Sequence, residues 1–329
     1  MLDLAAIQPT LGRRIAEELA LVGGIFEEQL ASDLSAVNEL CDHVSRFRGK
    51  MLRPTLVMVA AAAARGDDGS AIDQPHRMLA ATVEMIHMAT LVHDDVLDEA
   101  DVRRRGATVN RLWGNEAAVM LGDYLISNAF HLCSRIGDPD VNLALGRVTN
   151  TLCAGELLQL HHRGDQGLDV PTYLEIVRRK TASLIAESCR LGGVLAGADD
   201  AVAATLHEIG VQLGIAFQVQ DDLLDLMGEL DVIGKPAGQD LAKGKMTLPI
   251  ILHLESAAAA ERSQVLDLLD RGDRRGLGAV LAEHGAIEAA RKQAEGFVDV
   301  AVDAIERLPA GPARDLLRVL ARRIVERDH

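Results

Sequence analysis

The chain has 329 residues, with 34 Lys or Arg against 49 Asp or Glu, so its formal net charge is −15. Binding of phosphates through a general electrostatic field depends on Lys and Arg, so this charge argues against nucleic acid or an anionic lipid surface as partners. Hydrophobic residues make up 48% of the chain and aromatic residues only 2%. Because strands favour aromatic and β-branched residues, while Ala and Leu favour helices, the composition argues against a large β-sheet protein.

The cysteines and the apolar windows point to the compartment. Four cysteines are scattered without paired spacing, which disfavours a disulfide scaffold or a thiolate metal site and fits a reducing cytoplasm. The N-terminus has no basic start followed by an apolar run, so no signal peptide is predicted. Apolar windows such as 56–64 end at a charge before reaching the roughly 18 residues that a spanning helix needs. We therefore predict a cytoplasmic protein without a transmembrane segment, peripheral to the membrane at most.

Helical periodicity runs through nearly the whole chain. Apolar residues recur at spacings of three and four, as at Leu79, Val83 and Ile86, which indicates helices and not strands. Short polar or Gly/Pro-containing breaks separate these segments at 65–75, 135–140, 162–171, 197–200 and 308–312. None resembles a linker between independent domains. The prediction is an all-α protein of ten or more helices, with residues 1–329 as a single domain.

The first group of charged residues spans 50–105. Lys50 and Arg53 are three residues apart, which predicts one helix face, with Pro54 near the helix start. Further along, Asp94, Asp95 and Asp98 fall within an arc of roughly 100° on an otherwise apolar helix. Their carboxylates repel one another, so alone they would be typical of a solvated acidic face.

The same pattern recurs at Asp221, Asp222 and Asp225, again among apolar neighbours. Carboxylates on apolar helices need compensating cations. Oxygen ligands without His or Cys suit Mg²⁺, which binds one or two carboxylates together with substrate phosphates and water. Two such motifs therefore predict walls of one magnesium-dependent phosphate site.

These residues lie in segments that resemble a known family. The segments GKMLRP, EMIHMATLVHDDVLDEADVRR, GELLQL, RRKTASL, FQVQDDLLD and GKMTLPI occur in the order typical of trans-isoprenyl diphosphate synthases, and the resemblance covers residues 45–255 strongly. It implies a bundle of mostly antiparallel helices around a deep central cavity, usually in a homodimer. It also implies head-to-tail addition of isopentenyl diphosphate to an allylic diphosphate such as geranyl, farnesyl or geranylgeranyl diphosphate.

The resemblance also assigns roles to residues. The magnesium ligands would be Asp94, Asp95, Asp98, Asp221, Asp222 and Asp225, with three Mg²⁺ bound beside the allylic diphosphate and Mn²⁺ as a substitute. The pocket for isopentenyl diphosphate would comprise Lys50, Arg53, His87 and Arg104. Contacts to the allylic substrate would come from Arg103, Lys180, Thr181, Gln218, Lys235 and Lys245. The catalytic residues would be Lys180 and all of these aspartates except Asp225. Arg105 replaces a glycine usual in the family, which leaves open which two of the three consecutive arginines face the site; counting forward from Asp98 favours Arg103 and Arg104.

Product length depends on the positions just before the first aspartate. In the family a bulky side chain four or five residues before it keeps products short, whereas here those positions hold Thr90 and Ala89. We therefore predict a tunnel that continues past this point and a product longer than fifteen carbons.

Two other functions remain to be weighed. A class I terpene cyclase is also all-α and magnesium-dependent, but it usually pairs one aspartate motif with a different second motif and needs no pocket for isopentenyl diphosphate. A non-catalytic subunit of a heteromeric synthase would tend to lose aspartates, and all six are present. Both therefore rank below the synthase.

Overall fold

The computed structural model describes residues 4–47, 49–104, 106–227, 238, 241 and 243–326. In these ranges the regular secondary structure is helical apart from one antiparallel pair of two-residue strands, β1 (Val102–Arg103) and β2 (Gly106–Ala107). The helices preceding and following this pair up to residue 195 are α1 (Leu4–Ile7), α2 (Pro9–Leu30), α3 (Ser35–Ser45), α4 (Leu52–Arg65), α5 (Gln74–Leu97), α6 (Val109–Trp113), α7 (Asn115–Ser134), α8 (Pro139–His161), α9 (Val170–Val177) and α10 (Ser183–Leu195). The remaining helices are α11 (Asp200–Met227), α12 (Leu248–Ser256), α13 (Ala259–Asp270), α14 (Arg274–Glu283), α15 (Ala286–Ile305) and α16 (Pro312–Val325). The predicted all-α fold is confirmed.

The chain divides into two compact units. The first comprises 1–149, 184–210 and 304–319, and the second comprises 150–183, 211–303 and 320–329. The first unit has a core of fully buried side chains that includes Phe26, Leu79, Met85 and Leu125. Small residues let its helices approach closely: a Cβ on Gly192 would overlap the backbone of Val57. Close packing through Ala and Gly explains how a chain so poor in aromatic residues builds a core.

Local signals fix the start of two helices in the first unit. Asp73 caps α5 by accepting a hydrogen bond from the backbone N–H of His76, and a proline follows in the first turn, as capping rules predict. Helix α4 begins only at Leu52, because Met51 takes the left-handed conformation with φ 53°. Lys50 therefore lies before the helix, and the prediction that Lys50 and Arg53 share one helix face is wrong.

The second unit has its own apolar core, which includes Ile176, Leu223, Ile250 and Leu277. Asp169 caps α9 through the backbone N–H of Thr172 at 2.9 Å. Helix α9 then continues into a π-helical turn, Arg178–Ala182. Such turns are rare and frequent at functional sites. A Cβ on Gly155 of α8 would overlap the backbone nitrogen of Lys180, so the absence of a side chain there allows α8 to lie directly against this turn.

Helix α11 is long and apolar enough to cross a membrane by length and composition alone. Within the apolar window that meets this test, 56% of the residues are buried inside the protein. A buried core helix has the same properties, so this is weak evidence for a membrane span.

Candidate active site

The first aspartate motif lies where α5 ends. Asp94 and Asp95 are in the last turn, and Asp98 is the C-cap residue, whose backbone N–H donates to the carbonyl of Asp94 at 2.8 Å. Three carboxylates thus gather at a helix C-terminus, where the helix dipole already places negative charge. Both effects favour a cation at this position.

Arg103 supplies part of that positive charge. Its guanidinium reaches both carboxylate oxygens of Asp95: Nε lies 2.8 Å from Oδ1 and 3.0 Å from Oδ2, and Nη2 lies 2.7 Å from Oδ1. Burial is the largest influence on Asp95 and raises its pKa; Arg103 opposes that shift, while Asp94 and Asp98 add to it. The two-stranded turn that carries Arg103 is fastened to the end of α5 by Thr108, whose hydroxyl donates to the carbonyl of Ala100 at 2.6 Å. Arg103 and Asp95 were both predicted site residues, and the structure brings them together.

The other basic residues of the first unit influence one another around His87. The pKa of His87 lies well below its usual range, first because of burial and then because Arg53, Arg104 and Arg103 repel a further positive charge. Burial likewise lowers the pKa of Arg104, whose guanidinium donates to the backbone carbonyl of Phe47. The three guanidinium groups that act on the neutral imidazole would be stabilised by an anion, as expected of a diphosphate pocket. Lys50 is exposed, and Arg105 lies outside the described residues.

The second aspartate motif is in the second unit, on α11. Asp222 and Asp225 are buried, while Asp221 is partly accessible. The carboxylate of Asp222 accepts hydrogen bonds from Tyr173 Oη at 2.7 Å and Gln218 Nε2 at 2.9 Å. Gln218 Oε1 accepts in turn from Thr181 Oγ1 at 2.8 Å. Thr181, Gln218 and Asp222, all predicted site residues, therefore form one hydrogen-bonded network.

Lys180 is held in the π-helical turn. It forms an ion pair with Glu156 of α8, and its Nζ donates to Gln159 Oε1 at 2.8 Å. Its charge is thus partly compensated within the protein, and a bound phosphate would share it with Glu156.

A cavity of about 90 Å³ in the second unit collects these residues. The predicted residues in its lining are Lys180, Thr181, Gln218, Asp222 and Lys245. Polar lining residues that the sequence analysis missed are Gln159, His162, Arg163, Tyr173 and Thr247. Two quoted segments could have identified some of them, because GELLQL contains Gln159 and GKMTLPI contains Thr247. Lys235 lies outside the described residues.

The predicted chain-length positions lie one to two turns before the first motif. Ala89 is fully buried, and Thr90 is partly accessible with its hydroxyl donating to the carbonyl of His87 at 2.8 Å. Neither places a bulky side chain on α5 at this point.

The donor chemistry fits magnesium. Among the described residues, no group of three or more His, Cys, Asp or Glu side chains forms a complete metal-binding set. Mg²⁺ does not need one, because it usually keeps several waters and shares one or two carboxylates with substrate phosphates. Carboxylate oxygens of this kind belong to Asp94 and Asp98 in the first unit and, separately, to Asp221, Asp222 and Asp225 on α11 in the second; their role as metal ligands stays a prediction.

Comparisons with known proteins agree with one another. The family model described as polyprenyl synthetase matches residues 35–280. Octaprenyl diphosphate synthase of Escherichia coli is 35% identical over 95% of this chain and 97% of its own length. Heptaprenyl diphosphate synthase component 2 of Geobacillus stearothermophilus is 35% identical over 96% and 97%. A decaprenyl diphosphate synthase structure from Rhodobacter capsulatus superposes with a TM-score of 0.88 at 37% identity, covering 97% and 98% of the two chains.

A solved structure of a relative holds a ligand. The polyprenyl synthase of Caulobacter crescentus, crystallised with calcium and isoprenyl diphosphate, has a TM-score of 0.90 to this chain at 33% identity, covering 98% of each.

Proposed function

Because the chain belongs to the polyprenyl synthetase family, we propose that it joins isopentenyl diphosphate head-to-tail to an allylic diphosphate, with Mg²⁺ as the metal. The predicted family and prenyltransferase activity are confirmed by the relatives. One observation supports the chemistry most directly: a carboxylate of the second motif, Asp222, shares a cavity with Lys180 and Lys245. Carboxylates beside fixed cations are what a metal-bound diphosphate requires.

The reaction needs charge stabilisation more than a nucleophile. The bond from the allylic carbon to the diphosphate oxygen breaks and leaves an allylic cation. Lys180 and Lys245 would stabilise the negative charge that develops on the leaving oxygens. When bound, Mg²⁺ would stabilise the negative charge on the same oxygens.

The second substrate would be held in the first unit by the basic residues around His87. Arg53 and Arg104 would bind its diphosphate, and the neutral imidazole of His87 would hydrogen-bond to it. The reaction itself requires the double bond to be held close to the allylic cation and aligned with it. A carbon–carbon bond forms, one proton leaves the adjacent carbon, and a new double bond results. In the family that the sequence resembles, the departing diphosphate accepts that proton, so no protein base is needed.

A product longer than fifteen carbons is supported from two directions. The relatives carry names of octaprenyl, heptaprenyl and decaprenyl diphosphate synthases. In the family that the sequence resembles, a bulky side chain at the position of Ala89 keeps products short, and in this chain that side chain is small. We propose an all-trans polyprenyl diphosphate as the product.

We propose a homodimer on the basis of exposed apolar side chains. Met120 of α7 is 65% exposed and Leu143 of α8 is 53% exposed, and exposed apolar patches mark interaction surfaces. Replacing Met120 with Lys should shift the mass measured by light scattering toward the monomer, whereas the same change at the polar surface position Asn115 should leave it unaltered. An unchanged mass for the Met120 variant would refute the role of this surface in the dimer.

We place the enzyme in the cytoplasm, with product release at the membrane surface.

One assay separates the candidate functions. Purified protein is incubated with labelled isopentenyl diphosphate and farnesyl or geranylgeranyl diphosphate, with and without Mg²⁺. Magnesium-dependent elongation by the lone chain supports the proposal, whereas a cyclic hydrocarbon would indicate a terpene cyclase. One relative is component 2 of a heptaprenyl diphosphate synthase, which makes a two-component synthase the second candidate. Activity that appears only after another protein is added would indicate it.

A further inference from the structure

The hydroxyl of Tyr173 is directed at the second aspartate motif. Tyr173 is one of only two tyrosines in the chain, and its side chain is 4% exposed on α9. Its Oη donates to Asp222 Oδ2 at 2.7 Å across 49 positions of sequence. A phenylalanine would fill the same apolar space, but only tyrosine supplies a donor. A phenol donating to a carboxylate at this distance forms one of the stronger protein hydrogen bonds.

The other carboxylate oxygen of Asp222 also accepts a hydrogen bond. Gln218 lies one turn earlier on α11 and donates from Nε2 to Asp222 Oδ1 at 2.9 Å. Its Oε1 accepts from Thr181 Oγ1 at 2.8 Å. Because a carboxylate only accepts hydrogen bonds, the amide nitrogen must face Asp222, and Thr181 stabilises that orientation. Donors on α9 and α11 therefore fix both oxygens.

We propose that Tyr173 is a positioning residue for metal-diphosphate binding at the second aspartate motif. It acts through Asp222: the two donors restrict the terminal torsion of the aspartate, which is otherwise broad, and hold the carboxylate at one orientation in the cavity. This inference rests on the proposed function, because it takes the second motif to bind the metal. Loss of an outer hydrogen-bond partner of a metal site typically weakens metal affinity about 10-fold to 100-fold.

The test measures metal binding without turnover. Wild-type protein, Tyr173→Phe, Tyr124→Phe and Asp222→Asn are titrated with Mn²⁺ in the presence of inorganic diphosphate, and free Mn²⁺ is followed by electron paramagnetic resonance. Tyr124→Phe is the matched control, since it removes the only other phenol, whose Oη is 3.4 Å from the carbonyl of Leu30 in the first unit. We expect Tyr173→Phe to weaken Mn²⁺ binding about 10-fold and Tyr124→Phe to leave it unchanged.

Kinetics provide a second measurement. With both prenyl substrates present, Tyr173→Phe should raise the Mg²⁺ concentration for half-maximal activity by a similar factor, while kcat at saturating Mg²⁺ stays within about twofold of the wild type. Thr181→Val should weaken Mn²⁺ binding in the same direction through Gln218, and Thr181→Ser, which keeps the hydroxyl, should restore it. A residue that only packs would not produce this separation of metal activation from kcat.

The outcomes distinguish two failures. Equal Mn²⁺ affinity of the wild type and Tyr173→Phe, with Asp222→Asn impaired, would overturn the role of Tyr173 and leave the proposed function intact. Equal affinity of the wild type and Asp222→Asn would overturn the second motif as the metal site, and the inference with it. Melting curves accompany each titration. If Tyr173→Phe is unfolded, the Mn²⁺ affinities of Thr181→Val and Thr181→Ser are compared instead. Equal Mn²⁺ affinities of these two variants would refute the role of the hydrogen-bonded network.

Discussion

The pair of Asp95 and Arg103 allows a quantitative prediction. Asp95 exposes 7% of its side chain and Arg103 23%, and removing one partner of a buried ion pair destabilises a protein by about 3 to 5 kcal/mol. Because Arg103 keeps some contact with solvent, we expect about 2 to 3 kcal/mol for Arg103→Met at pH 7.5. The apolar stem of Met retains much of the packing of the Arg side chain.

The loss should depend on pH with a definite sign. Burial already raises the pKa of Asp95 in the folded protein, and Arg103 opposes that rise, so Arg103→Met raises the pKa further. A carboxyl group that binds its proton more tightly when folded reduces stability most above its folded pKa; the reduction shrinks as pH falls below that value and is gone below the pKa of the unfolded chain. The destabilisation by Arg103→Met should therefore be largest near neutral pH and smaller at pH 4.

Urea unfolding of the metal-free protein at pH 7.5 and 4 measures both effects, with Asp95→Asn and the double variant completing a double-mutant cycle. The control is Arg111→Met, because Arg111 pairs with Asp101 at 3.6 Å where both side chains are mostly exposed; it should change the free energy of unfolding by about 0.5 kcal/mol or less. A loss for Arg103→Met that is equal at both pH values, or additive with Asp95→Asn, would refute the reasoning.

Two further predictions concern activity. Ala89→Phe should shorten the main product, as chromatography of the dephosphorylated prenyl alcohols would show. An unchanged product would refute the assignment of Ala89 to the tunnel. A melting curve of the variant measures the destabilisation from overpacking this buried site, which is typically about 1 to 3 kcal/mol. His87→Phe should raise KM for isopentenyl diphosphate about 10-fold, the effect of losing one hydrogen bond to a charged group, and should leave KM for the allylic substrate unchanged. Because the pKa of His87 is well below its usual range, the ratio of wild-type to variant KM should be constant between pH 6.5 and 8. A ratio that changes tenfold over this interval would show that the imidazolium is the binding form.

Much of the architecture is readable from the sequence because helices depend on local spacing. The three-and-four periodicity predicted the helices carrying Asp94 and Asp222, and composition predicted the near absence of sheet. The start of α4 was misplaced, since nothing in the composition marks Met51 as left-handed. Side-chain partners were less accessible: Tyr173 and Asp222 are 49 positions apart, and Lys180 meets Glu156 only because Gly155 lets α8 approach the π-helical turn. Periodicity contains no information about such contacts.

The net charge of −15 is compatible with diphosphate chemistry because the two motifs treat their aspartates in the same way. In each adjacent pair the second aspartate is buried, since 5% of the surface of the whole residue is exposed in both Asp95 and Asp222. Each also accepts hydrogen bonds from another element of the fold. The first of each pair, Asp94 or Asp221, is partly accessible. In the proposed function, the hydrogen bonds to the buried carboxylate fix its orientation toward a divalent ion, and the partly accessible neighbour, about 100° around the helix, would complete the site together with substrate phosphates and water. Aspartates held in this way would give a divalent ion a defined geometry, which an unstructured acidic surface would not.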